Sequence, residues 1–174
     1  MSKYKRYAII IILVTNGILI SFLESFIPVP VPVPGVKLGL GNIVTIIGIV
    51  FLNFRDVLFI VAVRSIVVAM LTRGVMMLAF SLTGGIASAI VMTILYKRFS
   101  NMFSIKGISI VGAIVHSTSQ VVVASFILGQ IVILYYLPVL LVSSVITGYI
   151  TGSIAEIAID EIRKKGLFEA NKTA

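Results

Sequence analysis

The sequence has no cysteine, one histidine and only six acidic residues in 174 positions. Without cysteine, the chain can form no disulfide, no thiolate metal site and no cysteine nucleophile. Haem and iron–sulfur clusters also need cysteine or several histidines as ligands. We therefore expect no catalytic residues, no metal site and no bound cofactor, and the chain is not predicted to be an enzyme.

Charged residues are equally scarce. They make up 11% of the chain, and 59% of the residues are hydrophobic, whereas soluble domains are about one quarter charged. A water-soluble globule is excluded. Six membrane-spanning helices of about 20 residues would use about 120 positions and leave about 54 for loops and ends. The sequence predicts one all-α transmembrane domain over residues 1–174, a six-helix bundle within the lipid bilayer.

Six apolar runs predict these helices, over residues 7–23, 40–52, 57–71, 75–96, 108–128 and 133–159. The second and third runs are short for a bilayer, which favours tilted or partly interfacial helices. The first run follows three basic residues, as a secretory signal does. It is long, however, and ends in a polar segment at residues 21–25 rather than at a small-residue cleavage site. We expect it to be a retained helix.

A proline-rich segment over residues 27–39 separates the first two runs. Its prolines at positions 28, 30, 32 and 34 remove four amide donors and block a helix or a central strand. An extended segment cannot cross lipid alone, because its carbonyl groups would have no partners. The segment is predicted to be an extended strap at the interface or against the protein.

The basic residues divide unequally between the two predicted sides of the membrane. The net charge of +8 would suggest nucleic acid in a soluble protein, but these residues lie mostly at the ends of apolar runs, so no nucleic-acid partner is expected. Lys37 and Arg73 are the cations of the strap side. The other side, which includes both termini, receives eleven cations: Lys3, Lys5, Arg6, Arg55, Lys97, Arg98, Lys106, Arg163, Lys164, Lys165 and Lys172. Cytoplasmic loops collect Lys and Arg, so we expect both termini to lie in the cytoplasm of a prokaryotic cell and the chain to be a multi-pass protein of its membrane.

Small residues at helical spacing predict close helix contacts. Ser144, Gly148 and Gly152 recur every four residues, and the last two form a GxxxG motif, which allows two backbones to approach in lipid. The motif has two interpretations, a contact within the bundle or an interface with another subunit.

Arg64 lies near the middle of the third run, roughly 12 Å from either end of a helix. An intramembrane arginine faces a partner group or a water-filled cavity. Two interpretations are open, a ligand contact or an ion pair with Glu24.

His116 and Gln120 are four residues apart and therefore share one face of the fifth helix. Both side chains need hydrogen bonds in apolar surroundings. They are interpreted as pocket residues, as satisfied core residues or, for the histidine, as a proton carrier.

The segment from Pro34 to Asn42 returns the chain into the second helix. Its three glycines permit positive φ or close backbone approach, and helix-start amides beside Lys37 would suit an anion. A plain re-entry turn explains the glycines as well. The charges favour a ligand that carries a carboxylate or phosphate and enters from the extracytoplasmic side. The candidate binding residues are Arg64, His116, Gln120, Lys37, Asn42 and Glu24.

Several of these segments together resemble the Gx transporter family, which is often labelled heptaprenyl diphosphate synthase component I. The family is similar to the S components of energy-coupling-factor (ECF) transporters, small six-helix proteins that capture vitamins and work with an ATPase module. The resemblance implies a substrate-binding transport subunit for a small solute such as a vitamin, flavin or isoprenoid-related compound. It further implies that the strap caps a pocket between helices. The segments are IPVPVPVPGVKLGLGN at 27–42, Arg64, residues 81–85, residues 116–120 and YYLPVLLVSSVITG at 135–148.

The chain lacks a GxxxxGK[ST] phosphate loop, so ATP hydrolysis would come from another chain. ECF-type ATPase and transmembrane coupling subunits are the expected partners. The synthase label implies a different function, but such enzymes hold Mg²⁺ with clustered aspartates, and this chain has only Asp56 and Asp160. The alternative is a non-catalytic accessory of polyprenyl diphosphate or quinone metabolism, or of a membrane redox complex that binds a flavin or quinone noncovalently.

Overall fold

The computed structural model describes residues 3–27, 37–72 and 74–166, and these residues form a helical bundle. No strand occurs in these ranges, which confirms the predicted all-α class. Most of the proline-rich strap, Arg73 and Lys172 lie outside the described residues. In the described ranges the elements are α1 (Lys3–Glu24), α2 (Asn42–Phe51), α3 (Phe54–Thr72), α4 (Val75–Arg98), α5 (Ile105–Leu128), a 3₁₀ helix (Ile131–Tyr136) and α6 (Leu137–Lys164).

Most of the helices extend beyond the apolar runs that predicted them. At the start of α1 and at the end of α6, the helical hydrogen bonds continue into polar residues, because these residues remain solvated there. α5 begins at Ile105 because the Ser104 hydroxyl accepts a hydrogen bond from the Gly107 amide at 3.1 Å, a side-chain N-cap. α2 starts later than expected, because Leu40 and Gly41 form a turn before it.

Four of the described helical segments are long and apolar enough to cross a membrane: α1, α4, α5 and the 3₁₀ helix with α6. α3 carries Arg55, Asp56 and Arg64 within 19 residues, and α2 has only ten residues. Nine of the ten α2 residues are buried, so this helix lies inside the bundle instead of facing lipid. Its apolar character therefore reflects packing against protein, and the larger core cluster is built around it.

The GxxxG motif of α6 packs against α5. A Cβ added at Gly148 would lie 2.6 Å from the Ile110 Cα, and one at Gly152 would lie 2.8 Å from the Lys106 Cα. The two helices also share a hydrogen bond between the Ser109 and Thr151 hydroxyls at 2.9 Å. These contacts support the interpretation of the motif as a contact within the bundle.

One ion pair fixes the end of the bundle where α1 and α3 begin. Arg6 donates from Nε and Nη2 to the two carboxylate oxygens of Asp56, at 2.9 and 2.6 Å. This bidentate geometry sets the relative position of two helices that are distant in sequence. The two helices approach each other again where Gly17 of α1 faces Arg64 of α3, next to Gly41 just before α2.

Replacing Gly148 with alanine should destabilise the protein, by about 1–3 kcal/mol, because α5 and α6 must separate to admit the methyl group. Gly107→Ala is the matched control: its added Cβ would have only ordinary contacts, the nearest at 3.5 Å. We expect thermal unfolding in detergent to show a lower Tm for Gly148→Ala and an unchanged or higher Tm for Gly107→Ala. Equal Tm values would contradict this packing.

Candidate functional site

The connection between α1 and α2 is held by side chains from two helices. The amides of Gly39 and Leu40 both donate to Glu24 Oε1, at 2.5 and 3.1 Å. The Lys37 amide donates to Gln120 Oε1 at 2.9 Å. The end of α1, the connection and the middle of α5 are thereby joined by buried hydrogen bonds.

The Lys37 side chain is also buried, with 3% of its surface exposed. Its Nζ donates to the Ser21 carbonyl in the last turn of α1, at 2.9 Å, where the helix dipole favours a cation. Burial lowers the pKa of the Lys37 ammonium; Glu24 opposes this shift and Arg64 reinforces it. Lys37 thus brings a desolvated positive charge to the site.

Gly39 gives the connection its close approach to α5. Its φ of +90° lies in the region that favours glycine. A Cβ at this position would lie 3.2 Å from Asn42 Nδ2 and 3.3 Å from His116 Cδ2. The backbone of the connection is therefore in direct contact with two of the candidate side chains.

Arg64 is almost fully enclosed, with 2% of its surface exposed, and three glycines surround its side chain. A Cβ on Gly17 of α1 would lie 3.2 Å from Arg64 Cδ, and one on Gly85 of α4 would lie 3.5 Å from Nη2. A Cβ on Gly41 of the connection would overlap Nη1. The guanidinium lies between three segments of the chain, and a side chain at Gly41 would collide with it, whereas one at Gly17 would be tightly packed against it and one at Gly85 would be in ordinary contact.

Two nitrogens of this guanidinium, Nε and Nη1, have no hydrogen-bond partner among the described residues. Glu24 forms no ion pair with Arg64 within 4.0 Å in this part of the chain. It interacts with Arg64 at longer range, because its carboxylate accepts the amides of the connection instead. A direct ion pair between Arg64 and Glu24 is therefore not formed in the described structure.

His116 and Gln120 form a buried pair on α5, with 3.0 Å between His116 Nε2 and Gln120 Nε2. The other ring nitrogen, Nδ1, has no hydrogen-bond partner among the described residues. Gly84 of α4 lets the ring approach, because a Cβ there would lie 3.1 Å from Nδ1. The consecutive glycines at 84 and 85 of α4 thus lie next to His116 of α5 and Arg64 of α3, respectively.

Asn42 begins α2 and is completely buried. Its Oδ1 lies 3.3 Å from the Ser88 hydroxyl, and its Nδ2 has no partner in the described part of the chain. Ser88 was not predicted as a site residue. Its position on a small-residue face of α4, near the glycine pair, is the signal that could have identified it.

The six predicted site residues are all buried, and they lie around the connection at residues 37–41. Two cations, Lys37 and Arg64, face one carboxylate, so the described site has an excess of positive charge. Sequence reasoning missed the α1 side of the site, formed by Gly17 and Ser21. Together with Glu24, these residues recur at helical spacing as the small and polar positions of the buried α1 face, a pattern that could have found them.

Replacing Glu24 with alanine should destabilise the protein, because the amides of Gly39 and Leu40 would lose their acceptor. An unsatisfied buried amide costs roughly 1–3 kcal/mol. Glu24→Gln keeps an acceptor oxygen and should have a smaller effect. Glu161→Ala is the control, since its ion pair with Lys164 is exposed. A Tm of Glu24→Ala equal to that of the control would refute the role of Glu24 as an anchor.

A model of a known protein family matches most of the sequence. The family model described as heptaprenyl diphosphate synthase component I matches residues 13–158, a range that includes all six site residues. No curated protein matches the chain. Because the family model covers most of the sequence, the chain belongs to the heptaprenyl diphosphate synthase component I family.

Proposed function

We propose that this protein is the membrane-embedded substrate-binding subunit of a transporter, comparable to an ECF S component. Its solute is a small anionic or amphipathic organic molecule such as a vitamin, flavin or isoprenoid-related compound. The observation that carries the proposal is the buried Arg64, whose Nε and Nη1 have no partner among the described residues.

The energetics support a ligand at this position. An arginine at membrane depth costs several kcal/mol, of which the lowest estimates are about 2.5–3.5. Each unsatisfied buried donor adds roughly 1–3 kcal/mol. An oxyanion bound beside Arg64 would satisfy the free nitrogens and balance the excess charge of Lys37 and Arg64, since Glu24 neutralises only one of them.

The remaining parts of the proposal concern the setting of the protein. Both termini lie in the cytoplasm of a prokaryotic cell, and the solute enters from the extracytoplasmic side. The chain has no phosphate-loop motif, so an ATPase and a transmembrane coupling subunit provide the energy. Nucleic acid is not a partner.

The family name supports a second candidate function, an accessory of polyprenyl diphosphate or quinone metabolism or of a membrane redox complex. A catalytic role as a synthase is less well supported. Asp56, one of its two aspartates, is engaged by Arg6 through both carboxylate oxygens, which leaves it poorly placed to bind the magnesium diphosphate of such a reaction.

Substitution of Arg64 tests the proposed function directly. Native mass spectrometry of the gently extracted protein identifies the retained solute, which is then titrated against purified variants. We expect Arg64→Gln to weaken binding by roughly 10- to 100-fold, as for the loss of a charge-assisted hydrogen bond. Arg55→Gln is the matched control, because Arg55 is exposed at the start of the same helix. A folded Arg64→Gln variant with unchanged affinity would contradict the proposal.

Copurification of the full chain from native membranes distinguishes the two candidate functions. An ATPase with a second membrane subunit is the result that we expect for transport. A soluble prenyl synthase or redox subunits as the main partners would instead favour the accessory function.

A further inference from the structure

The orientation of the Gln120 amide is fixed by the backbone of the connection. The Lys37 amide is a donor, so the atom of Gln120 that lies 2.9 Å away must be the oxygen, Oε1. The other end of the same side chain, which faces His116 Nε2 at 3.0 Å, is therefore the amide nitrogen.

This orientation determines the protonation of His116. An amide nitrogen only donates hydrogen bonds, so the His116 Nε2 must accept. An imidazolium has protons on both nitrogens and cannot accept, which leaves the neutral ring with its proton on Nδ1. Nδ1 is the ring atom that forms no well-aligned hydrogen bond among the described residues; it lies beside the Gly84 backbone, and it is thus a donor that an added acceptor can bind.

The unpartnered groups contributed by His116 and Arg64 are consequently all donors: Nδ1–H, Nε–H and the Nη1 hydrogens. Two acceptor atoms of the site, Glu24 Oε1 and Gln120 Oε1, already accept amides of the connection. Asn42 adds a further donor, because its Oδ1 lies 3.3 Å from the Ser88 hydroxyl and its Nδ2 is the unpartnered end of the amide.

On the basis of the proposed function, we infer that Gln120 is a positioning residue. It holds His116 as the Nδ1–H tautomer, and the site therefore recognises an oxyanion that only accepts hydrogen bonds. The connection takes part in this selection, because the Lys37 amide sets the Gln120 orientation. A carboxylate or phosphate fits these donors, whereas an ammonium, amide or hydroxyl donor in the same place does not.

The single histidine of the chain makes the tautomer directly measurable. The full-length protein is labelled with ¹⁵N-histidine and studied by NMR in lipid nanodiscs without added solute. We expect the Nδ1–H form, although an unconstrained neutral histidine favours Nε2–H. A wild-type spectrum with Nε2–H, or with both nitrogens protonated, would overturn the inference without the need for any variant.

Gln120→Met keeps the length of the side chain and removes both hydrogen bonds, and Gln130→Met is the matched control at an exposed position. We expect the share of Nε2–H to rise in Gln120→Met and to stay at the wild-type level in the control. A Gln120→Met spectrum identical to that of the wild type would show that Gln120 does not position the ring.

Titration with inorganic phosphate and with acetate tests the ligand class. We expect at least one of these anions to shift the Nδ1 resonance of the wild type, and its affinity to fall roughly tenfold in Gln120→Met, as for one lost hydrogen bond of this kind. Anions that leave the histidine resonances of the wild type unchanged would overturn the oxyanion assignment. The tautomer is measured without solute, whereas the transport proposal is tested by solute binding to Arg64→Gln. Unchanged solute binding in that variant would contradict the transport proposal, and the wrong tautomer would contradict the inference about Gln120, so the two failures are distinguishable.

Discussion

The structure depends on a buried guanidinium that its own helices do not fully satisfy. Arg64 is enclosed by glycines of α1, α4 and the connection between α1 and α2, and Nε and Nη1 lack partners in the described part of the chain. An apolar bundle accepts such a group only if something else recovers the cost of its desolvation. The glycines show that the backbone comes close to the guanidinium, and its free nitrogens are the groups that the proposed ligand would bind.

The connection at residues 37–41 links the parts of this site. Glu24 binds its amides, the Ser21 carbonyl binds the Lys37 ammonium, and Gln120 binds the Lys37 amide. The same short segment contacts Arg64 through Gly41 and His116 through Gly39. A movement of the connection would therefore change the surroundings of the arginine and the histidine together.

Much of the fold could be predicted because apolar runs and helical spacing are local properties. The four-residue spacing of His116 and Gln120 predicted their shared helix face, and the apolar run at residues 40–52 predicted α2. Hydropathy does not distinguish lipid from protein as surroundings, so the burial of α2 inside the bundle could not be foreseen. The hydrogen bond between Lys37 and Gln120 joins positions 83 residues apart, a separation for which no local pattern exists. The sequence left open whether Arg64 pairs with Glu24 or contacts a ligand, because no local pattern showed that the Gly39 and Leu40 amides would bind the Glu24 carboxylate.

The most direct measurement is a high-resolution structure of the protein extracted from its own membrane with the solute still bound. The account predicts an oxyanion whose oxygens lie about 2.7–3.2 Å from Arg64 Nε or Nη1 and from His116 Nδ1. An Arg64 side chain that hydrogen-bonds only to protein groups, with the solute bound elsewhere in the molecule, would contradict it.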